Sequence, residues 1–386
     1  MNDYSSHMSI NLKKIPSPCF VLVQDLLKRN LELMKYVQQE AGVQIIVALK
    51  GFAFHSAFPL VGNYLAGGTA SSLHEAKLVY KKLQSRPHTY CAAYVPSEFD
   101  EILDISSHIT FNSLSQWVYW KKSALKASKK VSFGLRVNPG YSEIKTALYD
   151  PASESSRLGI SRKLLGDELP KGIEGLHFHA LCENDSYTLE RVLNAFVERY
   201  DSLLKSCKWV NMGGGHLMTR QGYDIEHLIS VLRRFKERYP NLEEVILEPG
   251  SAVGWETGFL KSTVLDIVDN GSGPTAMLDI SFTCHMPDCL EMPYKPKVRG
   301  EIEHGEYVYS LGGLSCLAGD FIDGFKFEQP LKVGDTIIFE DMIHYTMVKT
   351  STFNGINLPS IGTWTSKHKF KLHRSFDFKD YKIRLS

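Results

Sequence analysis

Apolar runs and amphipathic stretches alternate along the first two thirds of the chain. Runs of apolar, often β-branched residues predict strands near 44–49, 63–67, 88–93, 108–112, 131–137, 173–179, 207–212 and 243–248. Between them, apolar positions recur with helical spacing near 25–41, 54–61, 72–84, 97–104, 114–127, 186–205 and 224–238. This alternation favours an α/β fold of the (β/α)₈ TIM-barrel type over an open sheet. The predicted barrel domain covers residues 25–255.

The pattern changes after the barrel. Strands are expected at 259–268, 275–280, 307–311 and 336–339, separated by glycine, proline and asparagine turns without helical spacers. An antiparallel β domain over 256–386 is therefore predicted. The early apolar run 17–23 precedes the first barrel helix, and we expect residues 9–24 to contribute a strand to that β domain.

Charge and cysteine content exclude several classes of protein. The 386 residues include 44 basic and 43 acidic side chains, so a net charge of +1 gives no reason to expect nucleic acid or a membrane surface as partner. No apolar stretch approaches a membrane span, and a cytoplasmic enzyme is expected. Disulfides and structural zinc are not indicated, because the seven cysteines are scattered without Cys-x-x-Cys spacing: Cys19, Cys91, Cys182, Cys207, Cys284, Cys289 and Cys316.

Lys50 closes the first predicted barrel strand, directly after five apolar residues. Partial desolvation at such a position lowers the pKa of a lysine towards that of a nucleophilic amine, which suits covalent attachment to an aldehyde. The alternative is a lysine that reaches out of the barrel rim to water. The motifs that follow favour the first interpretation.

Other chemical groups also follow predicted strands. His177 and His179 end one strand, and from the alternation of side chains we expect only one of them to face the barrel interior. That expectation argues against a metal site built from His177, His179, Cys182 and Glu183, and no metal is predicted.

Gly213-Gly214-Gly215 follows the seventh strand, where barrels commonly bind phosphate, although a tight turn explains three glycines equally well. Glu248 closes the last strand, where it could hold a pyridine nitrogen protonated or be an ordinary rim glutamate.

The order of these motifs resembles that of the fold-type III pyridoxal-phosphate decarboxylases, the alanine-racemase-like group. The resemblance rests on Lys50, Phe178-His179, Gly213-Gly214-Gly215, Glu248-Pro249-Gly250, Ser315-Cys316, His344-Tyr345-Thr346 and Ser351-Thr352-Phe353-Asn354-Gly355. Within the group, the chain looks most similar to carboxynorspermidine/carboxyspermidine decarboxylases, in segments 47–52, 179–183, 284–288, 291–294 and 316–320.

The resemblance implies pyridoxal 5′-phosphate as cofactor and a head-to-tail homodimer with shared active sites. Lys50 would carry the cofactor, and Cys316 from the partner subunit would return a proton after carbon dioxide leaves. His179 would contact the cofactor ring, and Glu248 the pyridine nitrogen. The residues implied for the phosphate are Gly213, Gly214, Gly215, Ser251 and Tyr345. Diamine decarboxylases usually have arginine where this chain has Ser251, so we expect backbone amides, Ser251 and Tyr345 to hold more of the phosphate here.

The implied reaction converts carboxynorspermidine or carboxyspermidine to norspermidine or spermidine and carbon dioxide. An acidic set offers partners for the ammonium groups of such a substrate, although one or two of its members are expected to be merely solvated: Asp288, Glu291, Asp320 and Asp323. Diaminopimelate or ornithine decarboxylases would share every cofactor residue and stay as alternatives. A non-catalytic pyridoxal-phosphate-binding protein is a further alternative, which Cys316 and the long segment after the barrel disfavour.

Overall fold

The computed structural model describes residues 10–126, 130–146 and 150–386. Residue 9 of the predicted β domain and the final residue of the helix predicted at 114–127 lie outside these ranges. The chain forms two compact units. One is Asn30–Val253, and the other joins the residues up to Arg29 to Gly254–Ser386. Within the described residues, no helix has both the length and the apolar character needed to cross a membrane.

The first unit is a closed barrel of eight parallel strands, which confirms the predicted architecture. After β1 (Cys19–Val23) and α1 (Gln24–Ala41), its strands are β2 (Gln44–Ala48), β3 (Gly67–Ala70), β4 (His88–Tyr90), β5 (His108–Phe111), β6 (Ser132–Arg136), β7 (Gly175–His177), β8 (Trp209–Asn211) and β9 (Glu244–Leu247). The intervening helices are α2 (Phe58–Val61), α3 (Leu73–Leu78), α4 (Phe99–Ile105), α5 (Leu114–Ala124), α6 (Ser186–Leu204) and α7 (Ile225–Arg238), with α8 (Ser251–Gly254) after β9. Barrel strands are parallel, so their carboxyl ends all meet at one rim.

Local capping explains where the two long helices begin. The Asp185 carboxylate accepts a hydrogen bond from the Thr188 amide at the start of α6, and Asp224 does the same for the His227 amide in α7. Each helix then buries one apolar stripe and leaves its other face exposed. The sequence pattern predicted both helices to within a residue of their bounds.

Strand β3 lies later in the chain than predicted. The apolar residues near 64–65 extend the turn after α2, and the strand consists of small residues instead. A Cβ atom at Gly67 would lie 2.9 Å from Ser85 Oγ, and one at Gly68 would lie 3.0 Å from Val79 Cγ2. The segment 79–85 therefore packs directly on this strand and leaves no room for larger side chains, a constraint that hydrophobicity alone does not show.

The second unit is a sheet with strand order β13-β12-β11-β10-β1-β15-β16, and β14 also pairs with β10. These strands are β10 (Gly258–Asp269), β11 (Pro274–Leu278), β12 (Tyr307–Gly312), β13 (Phe321–Phe327), β14 (Thr336–Glu340), β15 (Ser360–Trp364) and β16 (Phe370–Arg374). Short helices accompany them: α9 (Phe282–His285), α10 (Asp288–Glu291), α11 (Tyr345–Val348) and α12 (Phe378–Leu385). The expected early strand is confirmed, because β1 pairs with β10 and β15.

The sheet is mixed rather than purely antiparallel. Strand β1 runs antiparallel to β10 but parallel to β15, and β11 runs parallel to β12. The prediction of an antiparallel domain is therefore wrong in these two pairings. Strand direction between segments joined by long connections depends on tertiary contacts, and the turn signals that predicted the strands report only on neighbours along the chain.

Candidate active site

Lys50 lies two residues beyond β2, at the carboxyl rim of the barrel. The Ala48 amide donates a hydrogen bond of 3.1 Å to the Pro249 carbonyl, which joins the end of β2 to the segment after β9. The backbones approach so closely that a Cβ atom at Gly51 would lie 2.8 Å from Gly250 Cα. This junction brings Lys50 and Glu248 to the same part of the rim.

The surroundings of Lys50 suit an amine nucleophile. Its side chain borders a cavity of about 240 Å³, from which it is accessible. Desolvation lowers the pKa of Lys50, and the nearby Arg136 guanidinium lowers it further, against the opposing charge of Glu248. A larger share of neutral amine follows at a given pH, as attack on an aldehyde requires.

Glu248 is buried and oriented by polar neighbours. Its Oε1 accepts a hydrogen bond of 2.7 Å from Asn211 Nδ2 at the end of β8. Burial raises the pKa of Glu248, while hydrogen bonds from Asn211 and Thr69 and the charge of Lys50 act in the opposite direction. Asn211 was not among the predicted site residues, although an amide that closes an apolar strand just before three glycines was a signal for it.

The glycine-rich loop packs tightly against neighbouring backbone. A Cβ atom at Gly213 would lie 2.5 Å from the Phe178 carbonyl oxygen, and one at Gly215 would lie 2.1 Å from the Leu181 carbonyl oxygen. Both glycines also have positive φ, at 69° and 85° respectively. Only glycine fits these two positions without displacing the chain that carries His179.

Two amides of this loop already hold side chains of the site. The Gly213 amide donates to Asn211 Oδ1 and the Gly214 amide donates to His179 Nδ1, each over 2.8 Å. The loop thereby fixes both the residue that orients Glu248 and the predicted ring-stacking histidine. The phosphate contact predicted for the loop stays a prediction.

Both histidines of the His-x-His motif line the cavity. The expectation that only one faces the interior is wrong, because residues two apart on an extended chain share a face. His177 Nε2 lies 3.6 Å from Glu248 Oε2. Burial lowers the pKa of both imidazoles well below the ordinary value, with further lowering from the charges of Lys50 and Arg136. Both rings are therefore neutral near pH 7.

The potential metal ligands that lie together are elsewhere in the barrel. Among the described residues, the group with ligand atoms within 4.8 Å of one another is His88, His108 and Glu244. These residues begin β4, β5 and β9, at the opposite rim from Lys50. The His88 and His108 rings stack with centroids 3.9 Å apart. Stacked rings direct their nitrogen lone pairs side by side rather than towards one point, so we propose no metal there.

Arg136 lines the cavity and is a second residue of the site that sequence reasoning missed. It ends β6 and is 5% exposed, and its guanidinium lies 4.7 Å from the centroid of the Tyr90 ring. Its Nη2 is buried without a hydrogen-bond partner among the described residues. Arg157 also lines the cavity. Lys50 was identified as a charged residue that closes an apolar strand, and Arg136 has the same feature.

Two of the remaining candidates belong to the sheet unit and one to the barrel. Cys316 is exposed in the connection between β12 and β13, and Tyr345 begins α11. Ser251, on the barrel side, is buried at the start of α8. The roles predicted for Cys316, Tyr345 and Ser251 stay predictions.

The four acidic candidates differ in how their carboxylates are used. Both oxygens of Asp320 accept backbone amides, and the residue is 4% exposed. Asp323 accepts a hydrogen bond from Ser310, and Glu291 pairs with Lys349.

Asp288 Oδ2 accepts hydrogen bonds from Tyr294 and Thr346, whereas its Oδ1 is buried without a partner among the described residues. Asp288 is thus the acid that has one buried oxygen without a hydrogen-bond partner among the described residues.

The barrel residues fit pyridoxal phosphate chemically. An amine of lowered pKa, a buried carboxylate held by an amide, and a fixed neutral imidazole all border or adjoin one cavity. Lys50 would hold the aldehyde carbon, Glu248 the pyridine nitrogen and His179 the ring face. No other cofactor class is indicated by this set of groups.

Comparisons with known proteins agree with this chemistry. A family described as "Pyridoxal-dependent decarboxylase, C-terminal sheet domain" matches residues 23–343. Carboxyaminopropylagmatine decarboxylase from Synechocystis is 48% identical over 376 residues, covering 97% of this chain and 96% of that protein. Carboxynorspermidine/carboxyspermidine decarboxylase from Campylobacter jejuni is 42% identical over 385 residues, covering 96% and 99%.

A solved structure extends the likeness to three dimensions. The crystal structure of carboxynorspermidine decarboxylase from Campylobacter jejuni, complexed with norspermidine, superimposes with a TM-score of 0.88 at 41% identity. The match covers 96% of this chain and all of that one. Diaminopimelate decarboxylase from Helicobacter pylori matches with a TM-score of 0.82 at 17% identity, which shows the shared fold alone. The chain therefore belongs to the pyridoxal-dependent decarboxylases, in the group that includes the carboxynorspermidine/carboxyspermidine decarboxylases.

Proposed function

We propose that this protein decarboxylates a carboxylated polyamine, converting carboxynorspermidine or carboxyspermidine to norspermidine or spermidine and carbon dioxide. The observation that carries the chemistry is the junction of Lys50 and Glu248 at one rim of the barrel, beside the cavity. The substrate class is supported by two relatives with that name, at 42% and 36% identity over nearly the whole chain.

Each barrel residue has a separable task in this proposal. When bound, pyridoxal phosphate supplies an electron sink for the pair released as the bond to the carboxylate breaks. Lys50 binds the cofactor through its neutral amine. Glu248, oriented by Asn211, holds a proton on the pyridine nitrogen, and His179, fixed by the Gly214 amide, packs on the ring. These groups are positioned before substrate arrives, so little reorganisation accompanies the reaction.

Cys316 completes the proton balance. Loss of carbon dioxide leaves the α-carbon one proton short, and we assign the thiol of Cys316 as its donor. The thiolate then regains a proton from solvent. In this proposal the thiol comes from the partner subunit of a homodimer, and the protein acts in the cytoplasm.

The phosphate is assigned to the loop 213–215 together with Ser251 and Tyr345. Since the Gly213 and Gly214 amides hold Asn211 and His179, the hydroxyl groups of Ser251 and Tyr345 carry more of this contact than in relatives with an arginine after Glu-Pro-Gly. Substitution of either hydroxyl is therefore expected to weaken cofactor affinity measurably.

A second substrate deserves equal testing, namely carboxyaminopropylagmatine. The relative that acts on it by name has the higher identity, 48%. The two substrate types differ at the end remote from the reacting carboxylate, where agmatine derivatives carry a planar guanidinium and polyamines carry an ammonium. A carboxylate can bind a guanidinium through two parallel hydrogen bonds, so the distal acids decide between them.

A substrate panel tests the proposal. Carbon dioxide release would be measured with carboxynorspermidine, carboxyspermidine, carboxyaminopropylagmatine, meso-diaminopimelate and L-ornithine. Each lost charged contact costs roughly 1.5–3 kcal/mol, so kcat/KM should fall by about 10- to 150-fold for the two amino acids. A preference for carboxyaminopropylagmatine would replace the first substrate by the second. A preference for diaminopimelate or ornithine would refute the polyamine assignment.

A further inference from the structure

Cys316 lies in an exposed turn whose base is closed by backbone hydrogen bonds. The Gly313 amide donates to the Asp320 carbonyl over 2.7 Å, and the Asp320 amide donates to the Leu317 carbonyl over 3.0 Å. The residues from Cys316 to Gly319 are exposed. Such a turn needs anchors if the thiol is to be presented in one position.

Asp320 provides the first anchor. Its Oδ1 accepts the Thr283 amide and its Oδ2 accepts the Ser315 amide, each over 2.9 Å. The carboxylate thereby ties the residue just before Cys316 to helix α9. The fit is close, since a Cβ atom at Gly313 would lie 2.5 Å from Asp320 Oδ2. Each oxygen of this almost fully buried carboxylate therefore has a backbone amide as its hydrogen-bond donor.

Asn354 provides the second anchor. Its Oδ1 accepts a hydrogen bond of 2.8 Å from the Cys316 amide itself. Asn354 has a φ of 56°, a left-handed conformation that asparagine tolerates better than most residues. The preceding Phe353 carbonyl accepts from Cys284 Sγ over 3.5 Å, so this anchor is also tied to α9.

We infer that Asp320 and Asn354 are positioning residues that hold the backbone of Cys316 and thereby set where its thiol delivers a proton. The inference rests on the proton-donating role proposed above for Cys316. It also gives Asp320 a task other than contact with the substrate. Because the two anchors bind the amides of Ser315 and Cys316, they constrain consecutive residues of the turn.

The position of the thiol decides which product forms. A proton delivered to the α-carbon gives the amine. A proton delivered instead to the former aldehyde carbon of the cofactor has a different result. Addition of water then releases the decarboxylated substrate as an aldehyde and the cofactor as pyridoxamine phosphate. No external oxidant is needed, since the cofactor gains the amino group and two electrons that the substrate loses. The ratio of aldehyde to amine is therefore a direct readout of proton placement.

Two substitutions of Asn354 separate its hydrogen bond from its backbone conformation. Asn354→Gly removes the acceptor but keeps access to the left-handed conformation, whereas Asn354→Asp keeps an acceptor oxygen at the same place. In the cofactor-loaded enzyme, Asn354→Gly should raise the aldehyde-to-amine ratio at least tenfold and lower kcat with little change in KM. Asn354→Asp should stay within about threefold of wild type in that ratio. Asn270→Gly, at an exposed turn of the same unit, is the matched control.

A chemical readout independent of turnover accompanies these assays. Alkylation of Cys316 by iodoacetamide, followed by peptide mass spectrometry, should be at least threefold faster in Asn354→Gly. Asp320→Asn serves as a second variant, because its NH₂ group cannot accept the Ser315 amide, and should also raise both readouts. If Asn354→Gly and Asp320→Asn both keep the product ratio and the alkylation rate of wild type, the inference is overturned.

Cys316→Ala separates this inference from the proposed function. If that variant forms amine at the wild-type rate and ratio, the donor role of Cys316 is wrong, and the positioning inference for catalysis falls with it. If Cys316→Ala forms aldehyde while both anchor variants behave like wild type, only the positioning inference is wrong.

Discussion

Asn211 connects the glycine-rich loop to Glu248 through the two ends of one side-chain amide. Its Nδ2 donates to Glu248 Oε1 over 2.7 Å, and its Oδ1 accepts the Gly213 amide over 2.8 Å. Asn211 is 3% exposed, so neither bond competes with bulk water. An amide satisfies a donor and an acceptor at once, which no aspartate could do here without protonation.

Replacing Asn211 by aspartate should therefore impair catalysis although the shape is preserved. The new carboxylate would accept the Gly213 amide but repel Glu248, and the pKa of Glu248, already raised by burial, should rise further. We expect kcat to fall about 10- to 100-fold, with a shift in the pH dependence of the cofactor absorbance.

Asn241→Asp is the control, because it makes the same chemical change at an amide that binds the Leu204 and Cys207 carbonyls. It should leave the pH dependence of the cofactor absorbance unchanged. An unaltered absorbance titration in Asn211→Asp would contradict the role of this bond.

Covalent attachment of the cofactor at Lys50 is a second prediction. Borohydride reduction and peptide mapping should place the reduced cofactor on Lys50, because desolvation and Arg136 lower the pKa of its amine. Lys50→Ala should lose this adduct and nearly all turnover. Lys208, an exposed lysine paired with Glu174, is an internal control that should remain unmodified. Recovery of the label on any other lysine would refute the assignment.

The rim groups could be predicted because a barrel gathers the carboxyl ends of all its strands at one rim. Lys50, Glu248 and the loop 213–215 are distant in sequence, yet each follows an apolar strand, and that rule alone brings them together. The same rule should have identified Arg136 and Asn211, which also close apolar strands. They were missed because no cofactor motif drew attention to them.

Other features depend on contacts that no local pattern records. The carboxylate of Asp320 is directed to the Thr283 and Ser315 amides, and acidic character in a loop does not reveal such a use. Likewise, the small residues of β3 reflect the close packing of the segment 79–85 rather than any turn signal. The substrate contacts predicted for the four acids remain predictions.

Protonation of His216 should make stability depend on pH. This buried imidazole lies in the loop segment after Gly215, and burial lowers its pKa to about 4. Between about pH 4 and 6.5 the unfolded chain binds a proton that the folded chain does not, so stability falls as pH drops through this window and is constant above it. At pH 5 the loss from this group is about 2 kcal/mol relative to pH 7.5.

Urea denaturation of cofactor-free protein measures this effect. The stability difference between wild type and His216→Gln should change by about 2 kcal/mol between pH 7.5 and pH 5, in favour of the variant at low pH. Glutamine can still donate to the Gly213 carbonyl, which His216 Nε2 contacts over 3.1 Å. His74→Gln, at an exposed position, should leave the wild-type pH dependence intact. Parallel stability curves for wild type and His216→Gln would rule out this linkage.

Among the four acidic candidates, Asp288 should contribute most to substrate affinity. Tyr294 and Thr346 orient its carboxylate through Oδ2, and its buried Oδ1 has no partner among the described residues, so a substrate ammonium that reaches Oδ1 would displace no protein group. Asp288→Asn should raise KM for the carboxypolyamine about tenfold or more and leave the cofactor absorbance intact. Glu301→Gln, which removes an ion pair with Lys295 in the same unit, is the control and should keep the wild-type KM. If the amide variants of Asp288, Glu291, Asp320 and Asp323 all behave like wild type, the acidic-set account of specificity is wrong.

The shared active site proposed for the homodimer leads to the last prediction. Lys50 and Cys316 belong to different compact units, and in our proposal each complete site takes Lys50 from one subunit and Cys316 from the other. Lys50→Ala and Cys316→Ala homodimers should both be inactive in forming amine. After equal mixing and full exchange, half of the dimers carry one subunit of each kind, and each such dimer has one intact site of two. Activity should therefore recover to about a quarter of that of wild type. Exchange must be verified independently, for example by native mass spectrometry with one isotopically labelled variant. Mixed dimers without activity would show that Lys50 and Cys316 act within the same subunit, because every subunit would then lack one of the two groups.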